Sequence, residues 1–81
     1  MTREDVISKL VIVMEDVFDL DDLDYADNLT AGDIPEWDSL SHVRLMVAVE
    51  RAFAIRFTSS EIEDFKVLGD LVTAIAAKAA G

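Results

Sequence analysis

The sequence contains no cysteine, and this absence removes two common ways of stabilising a small fold. Without thiols the chain has neither a disulfide nor a thiolate metal site, which fits a reducing compartment. The N-terminal residues carry the wrong charge for a signal peptide, and no apolar run approaches the roughly 18 residues that span a membrane. We therefore expect a cytoplasmic protein whose 81 residues form a single domain, 1–81.

Basic residues are also scarce: the chain has 7 Lys and Arg against 17 Asp and Glu, and its formal net charge is −10. Ten of the acids lie between Glu15 and Asp38, a stretch without Lys or Arg that we call the acidic belt, residues 15–38. Such a belt repels nucleic-acid phosphates and anionic membrane surfaces, so we expect neither as a partner. It would attract basic patches on partner proteins, although ordinary solubility explains surface acids equally well.

The aspartates of the acidic belt do not have the spacing of a calcium-binding EF-hand loop. Counted from Asp19, the sixth position holds Asp24 where that loop requires glycine. The twelfth position holds Thr30 where the loop requires glutamate. We therefore predict no dedicated metal site.

Apolar residues recur at helical spacing from the N-terminus onward. Thr2 and Asp5 predict a capping box. Behind it, apolar residues follow at intervals of three and four: Val6, Ile7, Leu10, Val11, Val13, Met14, Val17 and Phe18. This period predicts a helix from about 3 to 18. The connection over 19–38 is long for a compact domain, so we expect a short helical turn within it. We also expect its apolar residues to hold it to the core: Leu20, Leu23, Tyr25, Leu29 and Ile34.

The middle of the chain predicts a second helix, from about 39 to 54. One apolar stripe repeats every four residues and is expected to be buried: Leu45, Val49 and Phe53, with Met46 beside them. A second apolar stripe is rotated away from the first: Leu40, Val43 and Val47. A helix that is apolar on two sides either lies wholly in the core or presents one side to a partner.

The last third of the chain predicts two further helices. Ser60 and Glu63 predict a capping box that opens a short helix through about Lys66. An alanine-rich segment predicts the last helix, from about 69 to 79. These segments predict an all-α fold, a four-helix bundle of three longer helices and one short third helix.

The second helix begins within Pro35-Glu36-Trp37-Asp38-Ser39-Leu40. Proline disfavours the helical conformation at Ile34, and Asp38 is a good N-cap because its carboxylate can accept the free N–H groups of the first turn. Ser39 would then be the first helical residue, with its hydroxyl free at the positive end of the helix dipole. That position suits an attached anion such as a phosphodiester, although an acid–serine pair at a helix start is usually only a cap.

The motif Asp38-Ser39-Leu40, with a helix behind it and Val67-Leu68-Gly69-Asp70-Leu71 further on, resembles the acyl carrier protein family over nearly the whole chain. The resemblance implies that Ser39 carries 4'-phosphopantetheine, with Asp38 and Leu40 as its motif neighbours. The group would come from coenzyme A through a separate phosphopantetheinyl transferase. Its thiol would hold an acyl or aminoacyl group as a thioester for loading and processing enzymes. We therefore expect a monomeric carrier that is not itself an enzyme.

The second helix docks partner enzymes in that family, which makes six residues candidates for partner contact: Trp37, Val43, Arg44, Val47, Glu50 and Arg51. Arg44 and Arg51 stand where many family members have glutamates, and Glu36 stands where the fatty-acid carriers commonly have glycine. Charge reversal at a docking surface excludes wrong partners. We therefore predict a carrier of a specialised pathway, such as a polyketide or nonribosomal peptide pathway. The alternatives are a fatty-acid-synthesis carrier and an acidic helical interaction module without a prosthetic group.

His42 lies one helical turn after Ser39, which is a possible spacing for a serine–histidine nucleophile. No Gly-x-Ser-x-Gly elbow surrounds Ser39, and so short a chain leaves little room for a substrate pocket. We therefore predict no catalytic residue. We expect His42 to be half-exposed beside the prosthetic group, and Trp37 either to shield the start of the helix or to contact the cargo or a partner.

Overall fold

The computed structural model describes residues 2–79, and within that range the chain forms four α-helices and one 3₁₀ turn. The helices are α1 (Arg3–Phe18), α2 (Ser39–Phe53), α3 (Ser59–Asp64) and α4 (Leu68–Ala79), and the 3₁₀ turn is Ala31–Asp33. The predicted all-α bundle with a short third helix is confirmed. The turn lies in the long connection where a short helical turn was expected.

Helix α1 begins at the predicted capping box. The Asp5 N–H donates to Thr2 Oγ1 at 3.1 Å, and the Thr2 N–H donates to Asp5 Oδ2 at 3.2 Å. The Thr2 backbone N–H holds the pKa of Asp5 below its ordinary value. Because this signal is local, the predicted bounds of α1 agree with the structure.

Helix α3 begins two residues earlier than Ser60 and Glu63 predicted. Its capping box is Thr58 and Glu61: the Glu61 N–H donates to Thr58 Oγ1 at 3.2 Å, and the Thr58 N–H donates to Glu61 Oε1 at 2.8 Å. Glu61 also pairs with Lys78 of α4 at 3.1 Å, a contact that Glu63 does not make. The prediction from Ser60 and Glu63 was therefore wrong, because two overlapping motifs have the same spacing and a contact to α4 favours the earlier one.

The core lies where α1 packs against both α2 and α4. It is built from the apolar faces of these helices: Val6, Leu10, Met14, Phe18, Leu45, Met46, Val49, Phe53, Leu68, Leu71, Val72 and Ile75. The predicted buried stripe of α2 is therefore confirmed. The second stripe is not part of the core, because Leu40, Val43 and Val47 are 69%, 58% and 43% exposed.

The connection between α1 and α2 is held down at several points. Ile34 is buried, and the other predicted anchors are partly buried against the core: Leu20, Leu23, Tyr25 and Leu29. The start of α4 adds backbone bonds, because the Leu68 N–H donates to the Leu29 carbonyl at 2.9 Å and the Gly69 N–H donates to the Asp27 carbonyl at 2.8 Å. A Cβ at Gly69 would lie 3.1 Å from that Asp27 oxygen, so a larger residue would have to move the two segments apart by a few tenths of an ångström.

The Asp27 carboxylate also accepts hydrogen bonds from two side chains, one in α1 and one in the same connection. Arg3 Nη2 donates to its Oδ1 at 3.0 Å, and the Tyr25 hydroxyl donates to the same oxygen. The Tyr25 bond, followed by the Arg3 bond, holds the pKa of Asp27 below its ordinary value. Burial, together with Asp27, raises the pKa of Tyr25 to about 12. These contacts join the acidic belt to α1.

Within residues 2–79, no helix is both long enough and apolar enough to cross a bilayer. Over the same residues, no three His, Cys, Asp or Glu side chains form a group that could hold a metal ion.

Candidate functional site

The site begins at the N-terminus of α2, where Asp38 is the cap. The Ser41 N–H donates to Asp38 Oδ1 at 2.8 Å, and the His42 N–H donates to the Asp38 carbonyl at 2.8 Å. The bond from the Ser41 backbone holds the pKa of Asp38 below its ordinary value of 3.8. Asp38 is therefore ionised at neutral pH and committed to the helix start, as predicted.

Ser39 is the first residue of α2, and its side chain is exposed. Because Asp38 supplies the cap, the Ser39 hydroxyl is not needed for it, and it has no hydrogen-bond partner among the side chains and backbone of residues 2–79. The hydroxyl lies at the positive end of the helix dipole, which favours a negatively charged substituent. Ser39 is thus accessible, free to react and electrostatically suited to carry an anion.

A turn before α2 sets the direction in which the chain enters the helix. Ile34 is extended, with φ −119° and ψ 104°, as expected before Pro35. The Trp37 N–H then donates to the Ile34 carbonyl at 2.9 Å and closes the turn. The turn points Trp37 inward and brings Asp38 to the capping position.

Trp37 belongs to the hydrophobic core. Its side chain is only 7% exposed, and its ring lies 6.0 Å from the ring of Phe18. The prediction that Trp37 contacts a partner is therefore corrected: the residue shields the start of α2. His42 is half-buried beside it and accepts a bond of 3.1 Å from Trp37 Nε1–H at its Nδ1 atom.

An open groove of about 540 Å³ runs beside Ser39, between the start of α2 and the short helix α3. Its walls are formed by Ala31, Trp37, Asp38, Ser39, His42, Ile62, Glu63 and Phe65. The sequence did not indicate this groove, because it forms only when Ile62 and Phe65 lie opposite the start of α2.

A phosphopantetheine arm fits these residues. A phosphate on Ser39 would lie at the positive end of α2, and the groove offers apolar wall at Ile62 and Phe65 and a polar ring at His42. The groove is open along its length, so an elongated and flexible arm can enter and leave it. These residues therefore suit a tethered phosphodiester arm, and they do not form an enclosed small-molecule site.

Of the remaining predicted docking residues, four have exposed side chains and one makes a hydrogen bond within the chain. Val43, Arg44, Val47 and Arg51 are all exposed on α2. Glu50 is partly buried, and its Oε2 accepts the Phe57 N–H at 2.8 Å, so this carboxylate holds the chain that follows α2. Arg56 was missed by the sequence reasoning, although it is exposed and lines a second concavity together with Val47 and Arg51.

Comparisons with known proteins agree with this geometry. A sequence model of the family described as "Phosphopantetheine attachment site" matches residues 36–75, a range that contains Ser39 and helices α2 and α3. The acyl carrier protein of Acidothermus cellulolyticus is 29% identical over 76 residues, which cover 94% of this chain and 90% of that protein. The solution NMR structure of holo acyl carrier protein from Geobacter metallireducens superposes with a TM-score of 0.88 at 35% identity, covering 93% of this chain and 86% of that one.

Proposed function

The chain belongs to the acyl carrier protein family, and on that premise we propose that Ser39 is the residue that carries its 4'-phosphopantetheine. The protein is therefore a carrier and not an enzyme, and the match to a phosphopantetheine attachment family supports this function over an interaction module without a prosthetic group. One observation supports Ser39 above all: its exposed hydroxyl lies free at the start of α2 while Asp38 makes the cap.

The attachment step uses the Ser39 oxygen as the nucleophile. Its Oγ forms a bond to the phosphorus next to the pantetheine of coenzyme A, and the bond from that phosphorus to the nucleotide breaks. The nucleotide leaves as adenosine 3',5'-bisphosphate, and the hydroxyl proton passes to a base of the separate transferase. Asp38 serves as a positioning residue, because its carboxylate is engaged with the Ser41 N–H and orders the first turn around Ser39.

The prosthetic group supplies a thiol that holds an acyl or aminoacyl cargo as a thioester. The chain contributes position: the helix start fixes one end of the arm, and the groove beside Ser39 gives the arm a surface on which to rest. Tethering turns the meeting of cargo and docked enzyme into an effectively intramolecular event. Carriage of this kind requires a loading transferase and acyl-processing enzymes as partners.

The cargo-processing partners are proposed to belong to a specialised pathway and not to fatty-acid synthesis. Support comes from the exposed arginines of α2, Arg44 and Arg51, which stand where many fatty-acid carriers have acids. Rim charges set the encounter rate and exclude wrong partners, so these arginines oppose docking to basic enzyme surfaces. The protein is further proposed to act as a monomer in the cytoplasm.

Intact mass spectrometry tests the attachment. The apo chain is incubated with coenzyme A, Mg²⁺ and a broad-specificity transferase that has been shown to load another carrier. A mass gain equal to one phosphopantetheine is expected for the wild type and none for Ser39→Ala. An unchanged wild-type mass would refute the proposed function.

An elongation assay on the holo forms tests the choice of pathway. Enzymes of fatty-acid elongation should process the wild-type chain slowly, and changing both Arg44 and Arg51 to Glu should speed the reaction. The gain should shrink as ionic strength rises, because exposed charges are screened. If the wild type is elongated as fast as a fatty-acid carrier, the specialised pathway is excluded.

A further inference from the structure

Three arginines lie together on the outer face of α2 and the turn that follows it. Arg44, Val47 and Arg51 follow one another at intervals of three and four, so they lie on one side of the helix. Arg56 joins them, because it lines a concavity with Val47 and Arg51. We call this set the arginine face; with the exposed apolar residues it comprises Leu40, Val43, Arg44, Val47, Arg51 and Arg56.

The charge of this face is unusual for the molecule. The chain has 7 Lys and Arg in all and a formal net charge of −10, yet three of the seven lie here. All three arginines are exposed, and none forms an ion pair within residues 2–79. Of the four other basic residues, Arg3 pairs with Asp27 at 3.0 Å and Lys78 pairs with Glu61 at 3.1 Å, whereas Lys9 lies over the Phe53 ring and Lys66 is exposed.

The acid of α2 does not neutralise this face. Glu50 lines the same concavity as Arg51 and Arg56, but its Oε2 accepts the Phe57 N–H at 2.8 Å. A role in stabilising α2 explains the arginines only in part. Arg51 lies in the last turn, where a cation favours the helix dipole, whereas Arg44 lies near the middle of the helix, where that effect is absent.

We propose that the arginine face docks a partner surface that has an apolar centre surrounded by carboxylates, as part of an acyl-processing enzyme. The proposal rests on the carrier function and names the chemistry of the enzyme that receives the cargo. Leu40, Val43 and Val47 supply apolar contact, and the arginines select acidic groups at the rim. The stripe from Leu40 to Arg51 covers about three helical turns beside Ser39, so a partner bound here lies next to the prosthetic arm.

A second copy of the chain is the weaker candidate for this surface. The acidic belt of one molecule could face the arginines of another, but two molecules with a formal net charge of −10 repel each other as a whole. The arginine face also adjoins the attachment serine, and self-association there would cover the site at which transferase and processing enzymes act.

Two matched peptides test the proposal on the full-length ¹⁵N-labelled apo chain by NMR. Both are amphipathic helices with the same leucine row, flanked by Glu in one peptide and by Lys in the other. The Glu peptide should shift the amide signals of Leu40, Val43, Val47 and Arg51, and its affinity should fall as ionic strength rises. The Lys peptide should instead shift signals in the acidic belt, residues 15–38.

Charge-reversal variants test whether the arginine face is the surface that binds the Glu peptide. Arg44→Glu and Arg51→Glu should each lower the affinity for the Glu peptide by about threefold to tenfold, the range expected when a rim ion pair becomes repulsive. Lys66→Glu is the matched control, because it changes the net charge equally on an exposed side chain between α3 and α4. That variant should bind as the wild type does, and Arg51→Lys should retain most of the affinity.

Three results would overturn the proposal. The first is the absence of α2 shifts with the Glu peptide, and the second is equal binding of both peptides at α2. The third is concentration-dependent shifts of the arginine face without peptide, which would identify a second copy as the occupant. Loading of Ser39 is followed separately by intact mass, so a chain that loads but does not bind refutes only this face, and a chain that binds but does not load refutes only the carrier function.

Discussion

Trp37 Nε1–H donates a hydrogen bond of 3.1 Å to His42 Nδ1, and the two rings stack with their centroids 5.9 Å apart. Trp37 precedes the cap of α2 and His42 lies one turn beyond Ser39, so the bond links residues on either side of the attachment serine. The indole is also packed on Phe18 of α1. The start of α2 is thereby anchored to the core through one side chain.

Loss of the His42 acceptor should loosen this anchor. We expect His42→Ala to lower the free energy of unfolding by about 1–2 kcal/mol, because it removes one hydrogen bond and one ring contact. His42→Asn keeps an acceptor near the Nδ1 position and should recover part of the loss. Urea unfolding followed by far-UV circular dichroism measures both. Equal stability of the Ala variant and the wild type would show that the bond contributes nothing.

Low pH should lower the free energy of unfolding, because protonation of Asp38 weakens the cap of α2. The bond from the Ser41 N–H lowers the pKa of the Asp38 carboxyl in the folded state below its ordinary value of 3.8. The ionised carboxylate therefore contributes its full stabilisation at pH values above 3.8. The contribution is lost as pH falls through the lower pKa of the folded state. Asp38→Asn keeps a cap without a titrating charge, so its unfolding free energy should fall less steeply below about pH 4 than that of the wild type. Identical acid titrations of the two proteins would contradict this assignment.

The acidic belt should make stability depend on salt. Ten acids without a base between Glu15 and Asp38 repel one another, so we expect the melting temperature to rise with ionic strength. Changing the exposed residues Asp21 and Asp22 to Asn should raise the melting temperature at low salt and reduce its dependence on salt. A flat curve for the wild type would mean that these acids are too dispersed to strain the fold.

A charged substitution should have very different effects on stability at two valines of α2. Val47 is 43% exposed, so Val47→Asp should leave the free energy of unfolding within about 1 kcal/mol of the wild type while it weakens partner docking. Val49 is 0% exposed, and Val49→Asp should cost more than about 3 kcal/mol because it buries an unpaired carboxylate. Chemical denaturation compares the pair. An unfolded Val47→Asp protein would place Val47 in the core and leave the docking surface unidentified.

Signals confined to a few neighbouring residues could be read from the sequence. The Thr2–Asp5 capping box, the Asp38 cap and the spacing of Leu45, Val49 and Phe53 each act within one or two turns, so α1 and α2 were predicted closely. The resemblance carried by Asp38-Ser39-Leu40 led to the family that the comparisons show.

Features that depend on distant contacts could not be read in this way. The start of α3 was misplaced because Thr58-x-x-Glu61 and Ser60-x-x-Glu63 are equivalent until the Glu61–Lys78 pair forms. The groove beside Ser39 requires α3 to fold back toward α2, and this packing has no local signature.

Two side chains that were predicted to meet a partner also make contacts within the fold. The turn at Pro35 directs Trp37 into the core, and the Glu50 carboxylate accepts a backbone bond from Phe57. Residue type alone does not show whether an aromatic ring or a carboxylate faces a partner or its own chain.

Ser39 alone should carry the prosthetic group, and tandem mass spectrometry of the chain loaded from coenzyme A tests this most directly. Ser41 is the matched control, because it carries a second hydroxyl two residues away in the same helical turn. We predict that fragment ions locate phosphopantetheine on Ser39 in the wild type and in Ser41→Ala, and that Ser39→Ala remains unmodified while its circular dichroism spectrum stays helical. Modification of a folded Ser39→Ala protein, or fragment ions that locate the group elsewhere, would contradict the account.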